Sequence, residues 1–124
     1  MKQLIIEETN YSPRVELSPR GEIKIKGRSI IENPYEFFNP VFRWVKSCTF
    51  KTVHVEIRLE YANTGTVKQI YTLLTLIRDN YSIKNVYINW YYMEGDKDTL
   101  ELGRDIESKI NLPFDYFEYS ETAA

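Results

Sequence analysis

The sequence holds one cysteine, Cys48, and one histidine, His54, in 124 residues. A lone cysteine excludes an intrachain disulfide and fits a reducing compartment. A lone histidine excludes zinc-spaced His/Cys clusters, and His54 has no neighbour in sequence with which to form a nucleophile-and-base pair. The five glycines are scattered, so no phosphate-cradling Gly-rich loop is present. An excess of one charge is also missing. Sixteen basic residues meet 18 acidic ones for a net charge of −2, with no basic run to mark a nucleic-acid or anionic-membrane partner. No apolar run approaches the roughly 18 residues of a membrane span, and the apolar stretch of MKQLIIEETN is too short for a signal core. These absences point to a soluble, cytoplasmic chain that needs no cofactor and lacks the main enzyme signatures.

What is present is a core. Hydrophobic residues make up 43% of the chain, including 10 Tyr, 6 Phe and 2 Trp. That suffices for one domain over residues 1–124 and leaves no room for a second.

The first third reads as β-structure. A β-branched run covers residues 3–7. Val15 and Leu17, then Ile23 and Ile25, alternate with polar neighbours around the turn-forming Ser18-Pro19-Arg20-Gly21, a hairpin whose second arm should end at Gly27. Asn33-Pro34-Tyr35-Glu36 starts a helix, with Asn33 as cap and Pro34 in the first position. The apolar residues from Phe37 to Cys48 follow at helical spacing, although Pro40 should kink the helix or delay its start.

Val53, Val55, Ile57, Leu59 and Tyr61 alternate with polar residues as a strand with one apolar face. A helix over Val67, Ile70, Tyr71, Leu74 and Ile77 leads to a second strand through Val86, Ile88, Trp90 and Tyr92. Together they predict a right-handed βαβ unit. A third helix should begin at Asp98, with Glu101 completing a capping box. Phe114, Tyr116 and Tyr119 suggest a last strand, and Ser120–Ala124 a frayed tail. The expected fold is α/β: one mixed sheet with an N-terminal hairpin, a βαβ unit and about three packed helices.

Two places could carry chemistry. Glu94, Asp96 and Asp98 could bind Mg²⁺ or Ca²⁺, but their spacing is not that of a calcium loop, and a solvated turn with a capping aspartate suits them better. The junction at Asn63-Thr64-Gly65-Thr66 says more. With Asn63 as cap, Thr64 is the first helical residue, where unsatisfied N–H groups and the positive end of the helix dipole would receive a phosphate. Gly65 should leave space beside the hydroxyl, and Lys68 stands one turn on. The plain alternative is a capped helix and nothing more.

Along nearly its whole length the chain resembles the SiaC family of bacterial regulatory phosphoproteins. The resemblance runs through Ser12-Pro13, Pro19-Arg20-Gly21, Gly27-Arg28-Ser29, Glu32-Asn33, Phe37-Phe38, Arg58-Leu59-Glu60-Tyr61-Ala62-Asn63-Thr64, Trp90-Tyr91-Tyr92 with Glu94 and Asp96, and Leu112-Pro113-Phe114. It implies a fold like that of anti-sigma factor antagonists (STAS-like) and no catalytic activity. It implies a dedicated protein kinase and a PP2C-type phosphatase as partners, and a diguanylate cyclase that binds the unphosphorylated form, raising cyclic di-GMP. The family acceptor, the threonine of an Asn-Thr-Ser-Ser motif, falls on Thr64. Here Gly65 departs from that motif and Thr66 replaces its second serine, which makes Thr66 a second candidate. Tyr61, Trp90, Tyr92 and Glu94 should share one end of the sheet with Thr64 and form the partner surface, because parallel strands present their carboxyl ends together.

Overall fold

Ser18-Pro19-Arg20-Gly21 reverses the chain as its residues dictate. The Gly21 amide donates to the Ser18 carbonyl at 3.0 Å, and Gly21 takes φ +83° with its α-carbon so near Thr52 that a Cβ would lie 2.6 Å from that carbonyl oxygen. Only glycine fits there. The computed structural model describes residues 2–120. In chain order it contains β1 (Leu4–Ile6), β2 (Arg14–Ser18), β3 (Glu22–Ser29), α1 (Pro34–Lys46), β4 (Thr52–Ala62), α2 (Thr64–Asp79), β5 (Asn85–Met93), α3 (Lys97–Ile110) and β6 (Phe114–Tyr119). Of the expected frayed tail only Ser120 lies within the described residues.

The strands form one sheet in the order β1-β2-β3-β4-β5-β6. The first three run antiparallel, and β3 to β6 run parallel. Each parallel step moves one place in the same direction through a helix, so right-handed crossovers put α1, α2 and α3 on the same face. Burial agrees. Val15, Leu17, Ile23, Ile25, Val53, Val55, Ile57, Ile88 and Trp90 are all sealed, and they pack with Phe38 and Val41 of α1, Leu73 and Leu74 of α2, and Ile106 of α3. Each fully buried Leu, Ile or Phe contributes about 1.5–3 kcal/mol. The alternate residues of β3–β5, such as Lys24, His54, Glu56, Tyr87 and Asn89, are exposed or half-buried. No described helix covers that second face.

Three expectations need correction. β3 does not stop at Gly27 but continues to Ser29 through a register shift, so that Gly27 pairs with Leu59 and Arg28 with Tyr61. Glu60 is the extra residue, and a bulge of this kind rotates the remainder of its strand. Tyr61 therefore leaves the apolar face. Its pair neighbours Ser29 and Ala62 face the helices, since the Ser29 hydroxyl reaches α2, and Tyr61 points the other way at 53% exposure. α1 begins at Pro34 under the Asn33 cap, as expected, with the Asn33 side chain accepting the Glu36 amide, and runs through Pro40 without a delayed start. α3 is capped two residues earlier than expected: Asp96 accepts both the amide and the hydroxyl of Thr99, at 3.0 and 2.7 Å.

Candidate functional site

The Asn63 cap sits at the carboxyl end of the parallel strands, where β4 passes into α2. Its side-chain oxygen accepts the Thr66 amide at 3.0 Å and the Thr66 hydroxyl at 2.6 Å. Its side-chain amide donates to the Ile31 carbonyl at 3.0 Å, and its backbone amide donates to the Ser29 carbonyl at 2.9 Å. The Thr66 and Ser29 hydroxyls meet at 2.6 Å, both at 0% exposure. One asparagine thus locks the head of α2 to the end of β3.

Thr64 sits outside this lock. It is exposed, in the first helical position. The amides of Thr64 and Gly65 have no acceptor inside the helix, because the first-turn donors lack a preceding turn. Gly65 has a packing role that its place in the sequence did not show. A Cβ there would lie 2.9 Å from Cγ of Pro34, so the glycine lets the heads of α1 and α2 pack together. Lys68 is exposed one turn further along. Thr66, the second candidate, is sealed in the core with its hydroxyl engaged on two sides, out of reach of any modifying enzyme.

The partner residues named from sequence divide. Tyr61 and Glu94 are exposed and Tyr92 is half-buried. Trp90 is a correction: it is 1% exposed, its ring N–H donates to the Thr99 carbonyl at 2.9 Å, and Gly103 of α3 lies against its indole. A side chain enclosed on both sides builds the core and offers nothing to a partner. The acidic loop fares no better as a cation site. Asp96 is occupied as the α3 cap, and no group of three or more His, Cys, Asp or Glu residues among those described could hold a metal. Burial pushes the Cys48 thiol above its ordinary value, which keeps it protonated and inert. His54 is exposed and stacked on Tyr87 at 5.0 Å, with no side-chain hydrogen bond or ion pair to a carboxylate among the described residues.

Sequence reasoning passed over two features. Ser29 was visible only as part of a motif, because its bond to Thr66 joins residues 37 apart. The aromatic residues on the polar side of β5 and β6 were also passed over. Tyr91 stacks on Phe117 at 5.1 Å, and the Arg58 guanidinium lies 4.0 Å from the Tyr119 ring centre and 5.7 Å from that of Tyr91. The signal was there: Tyr87, Tyr91 and Phe117 occupy positions where an alternating strand ordinarily places solvated polar residues.

The sequence and the fold both match known proteins. The sequence model described as "SiaC family regulatory phosphoprotein" matches residues 6–119. An uncharacterized protein of Pseudomonas aeruginosa strain UCBPP-PA14 is 26% identical over 119 residues, spanning 92% of this chain and 94% of its own length. Among solved structures, SiaC of Pseudomonas aeruginosa superposes with a TM-score of 0.85 at 25% identity, covering 96% of this chain and 100% of that one. SiaC in the crystal structure described as the diguanylate cyclase SiaD in complex with its activator SiaC, from the same organism, matches with a TM-score of 0.85 at 25% identity, over 94% and 99% of the two chains.

Proposed function

The chain belongs to the SiaC family of regulatory phosphoproteins, and from that premise we propose that it is a non-enzymatic switch that binds a diguanylate cyclase until Thr64 is phosphorylated. The observation that carries this reading is the division of labour between two neighbouring threonines. Thr66 is fully enclosed and holds the junction together, whereas Thr64 is exposed on a helix head that is already fixed. A phosphate of about −2 charge can be added at Thr64 without disturbing a buried bond. There it meets the free first-turn amides and the positive end of the α2 dipole, with Lys68 four residues on. The group is held on a rigid element and presented outward.

The effect on a partner is electrostatic. A neutral hydroxyl can be desolvated against an apolar or acidic surface, while a dianion resists desolvation and repels acids. A protein kinase would set the switch and a PP2C-type phosphatase would reset it, in the cytoplasm.

The test uses the purified chain with the kinase and the diguanylate cyclase of its own host. Peptide mass spectrometry should place a phosphate on Thr64 and none on Thr66. Thr64→Glu should fail to capture the cyclase that Thr64→Ala still binds. Capture by both variants alike, or a phosphate only elsewhere, would overturn the reading.

A further inference from the structure

The sheet face without helices is chemically graded along the strands. Its first row places Glu22 beside His54, which stacks on Tyr87. The next row, Lys24, Glu56, Asn89 and Asp115, mixes signs. Beyond it Arg14 lies opposite Lys26 and takes Glu7 and Glu16 as its ion-pair partners. Lys26 lies directly opposite Arg58, and Tyr91 opposite Phe117. In the last row Arg28 lies opposite Tyr61, turned to this face by the bulge, and Met93 opposite Tyr119. This end adjoins the β4–α2 junction and Thr64. A chain with a net charge of −2 therefore gathers three cations here that no ion pair among the described residues neutralises, although Glu60 of the bulge and the Glu8 carboxylate beside Gly27 lie near them.

Nothing in the fold explains this half-face. Like charges directly opposite one another in a ladder are destabilising. The ion pairs among the described residues involve Arg14, Arg78 and Lys109, never Lys26, Arg28 or Arg58. Parallel sheets are ordinarily covered on both faces, and this one is covered on one. The Arg58 guanidinium sits over the Tyr119 ring, an arrangement that holds a weakly hydrated cation in place and leaves donors for a carboxylate. Arginine and tyrosine in such clusters are the side chains that dominate binding surfaces.

We propose that Lys26, Arg28, Arg58, Tyr61, Tyr91 and Tyr119 form a docking surface for an acidic, aromatic-bearing segment of a partner protein. Charge complementarity selects the occupant. Three cations without an ion pair suit carboxylates, and the exposed Tyr61 ring beside the half-buried Tyr91 and Tyr119 suits apolar or aromatic side chains. A nucleic-acid strand fits less well, because its phosphates would run on over Glu56 and Asp115. The surface stands by itself, but its link to regulation rests on the phosphorylation of Thr64 proposed above. A dianion at this end would repel the same acidic segment.

The full-length, unphosphorylated chain labelled with ¹⁵N is titrated with a random Glu–Tyr copolymer, with polyglutamate and oligothymidylate as comparisons. Saturable amide shifts should centre on Lys26, Arg28, Arg58, Tyr91 and Phe117 and fade as salt rises. Lys26→Gln with Arg58→Gln should weaken the copolymer by about tenfold or more, and so should a second pair, Lys26→Gln with Arg28→Gln. The exposed control pair Lys51→Gln with Lys84→Gln, at the opposite end of the strands, should stay within about twofold. Absence of saturable binding, shifts centred on the helices, equal loss in the control pair, or tighter binding of oligothymidylate to the same residues would each overturn the proposal. Thr64→Glu should weaken the copolymer. If it does not while the face still binds, the docking surface stands and the repulsion mechanism of the switch falls.

Discussion

The hydroxyls of Ser29 and Thr66 meet at 2.6 Å inside the protein. The contact ties the end of β3 to the first turn of α2 and fixes the place from which Thr64 is presented. The threonine that is enclosed makes the threonine that is exposed usable.

Removing the enclosed hydroxyl should therefore cost stability, and removing the exposed one should not. Thr66→Val leaves Ser29 and Asn63 each short of a buried partner, a loss of about 1–3 kcal/mol. Thr64→Ala should stay within about 0.5 kcal/mol of the parent. Urea unfolding midpoints separate the two, and equal losses would contradict the assignment.

A negative charge at position 64 should not weaken the fold. Thr64→Glu places a carboxylate at the positive end of the α2 dipole, worth about 0.3–1 kcal/mol in favour of the helix. Its thermal midpoint should match or slightly exceed that of the parent. A drop equivalent to more than about 1 kcal/mol would mean that charge at this site acts by unfolding the junction.

Trp90 and Tyr61 should respond in opposite ways. Trp90→Ala empties a buried site at a cost of about 3–5 kcal/mol. Gly103→Ala, whose Cβ would fall 2.6–2.7 Å from three atoms of the same indole, should cost about 1–3 kcal/mol by overpacking and change the tryptophan fluorescence. Tyr61→Ala, on the exposed side of the bulge, should leave stability nearly unchanged while weakening partner capture. Calorimetry alongside a binding assay reads both.

Tyr116 should make the protein sensitive to alkali. Burial, and then its 2.6 Å bond to the Glu107 carboxylate, hold its hydroxyl above the ordinary value of 10.0. The proton is retained by the folded chain and lost first by the unfolded one. The contribution is thus complete below pH 10 and declines as the pH rises above it. Tyr116→Phe should flatten the fall in urea midpoint from pH 10 upward. An unchanged slope would show that other tyrosines set it.

Much of this protein is dictated by residues near one another in sequence. Alternation in β2, β3 and β5, helical spacing in α1 and α2, and the caps at Asn33 and Asn63 are local effects of side-chain geometry and unpaired amides, so they were legible without a structure. The exposed position of Thr64 was legible as well, since a capping asparagine makes its neighbour the first helical residue. The order of motifs also led to the family.

Other features depend on residues far apart. A one-residue bulge opposite Gly27 and Arg28 decides that Tyr61 faces out, because it shifts the strand's period-two pattern, and pairing with a strand some thirty residues away sets it. Trp90 continues the apolar pattern of β5, but only Gly103 of α3 shows that it is enclosed. Thr66 reads as a free hydroxyl until Ser29 closes over it. The same holds for the bare face, where Lys26 and Arg58 become neighbours only once the parallel register is formed. Sequence determined the elements and their caps by local chemistry. Tertiary structure decided which side chains are hidden and which are offered, because burial and charge neighbourhood come from strand register and helix placement.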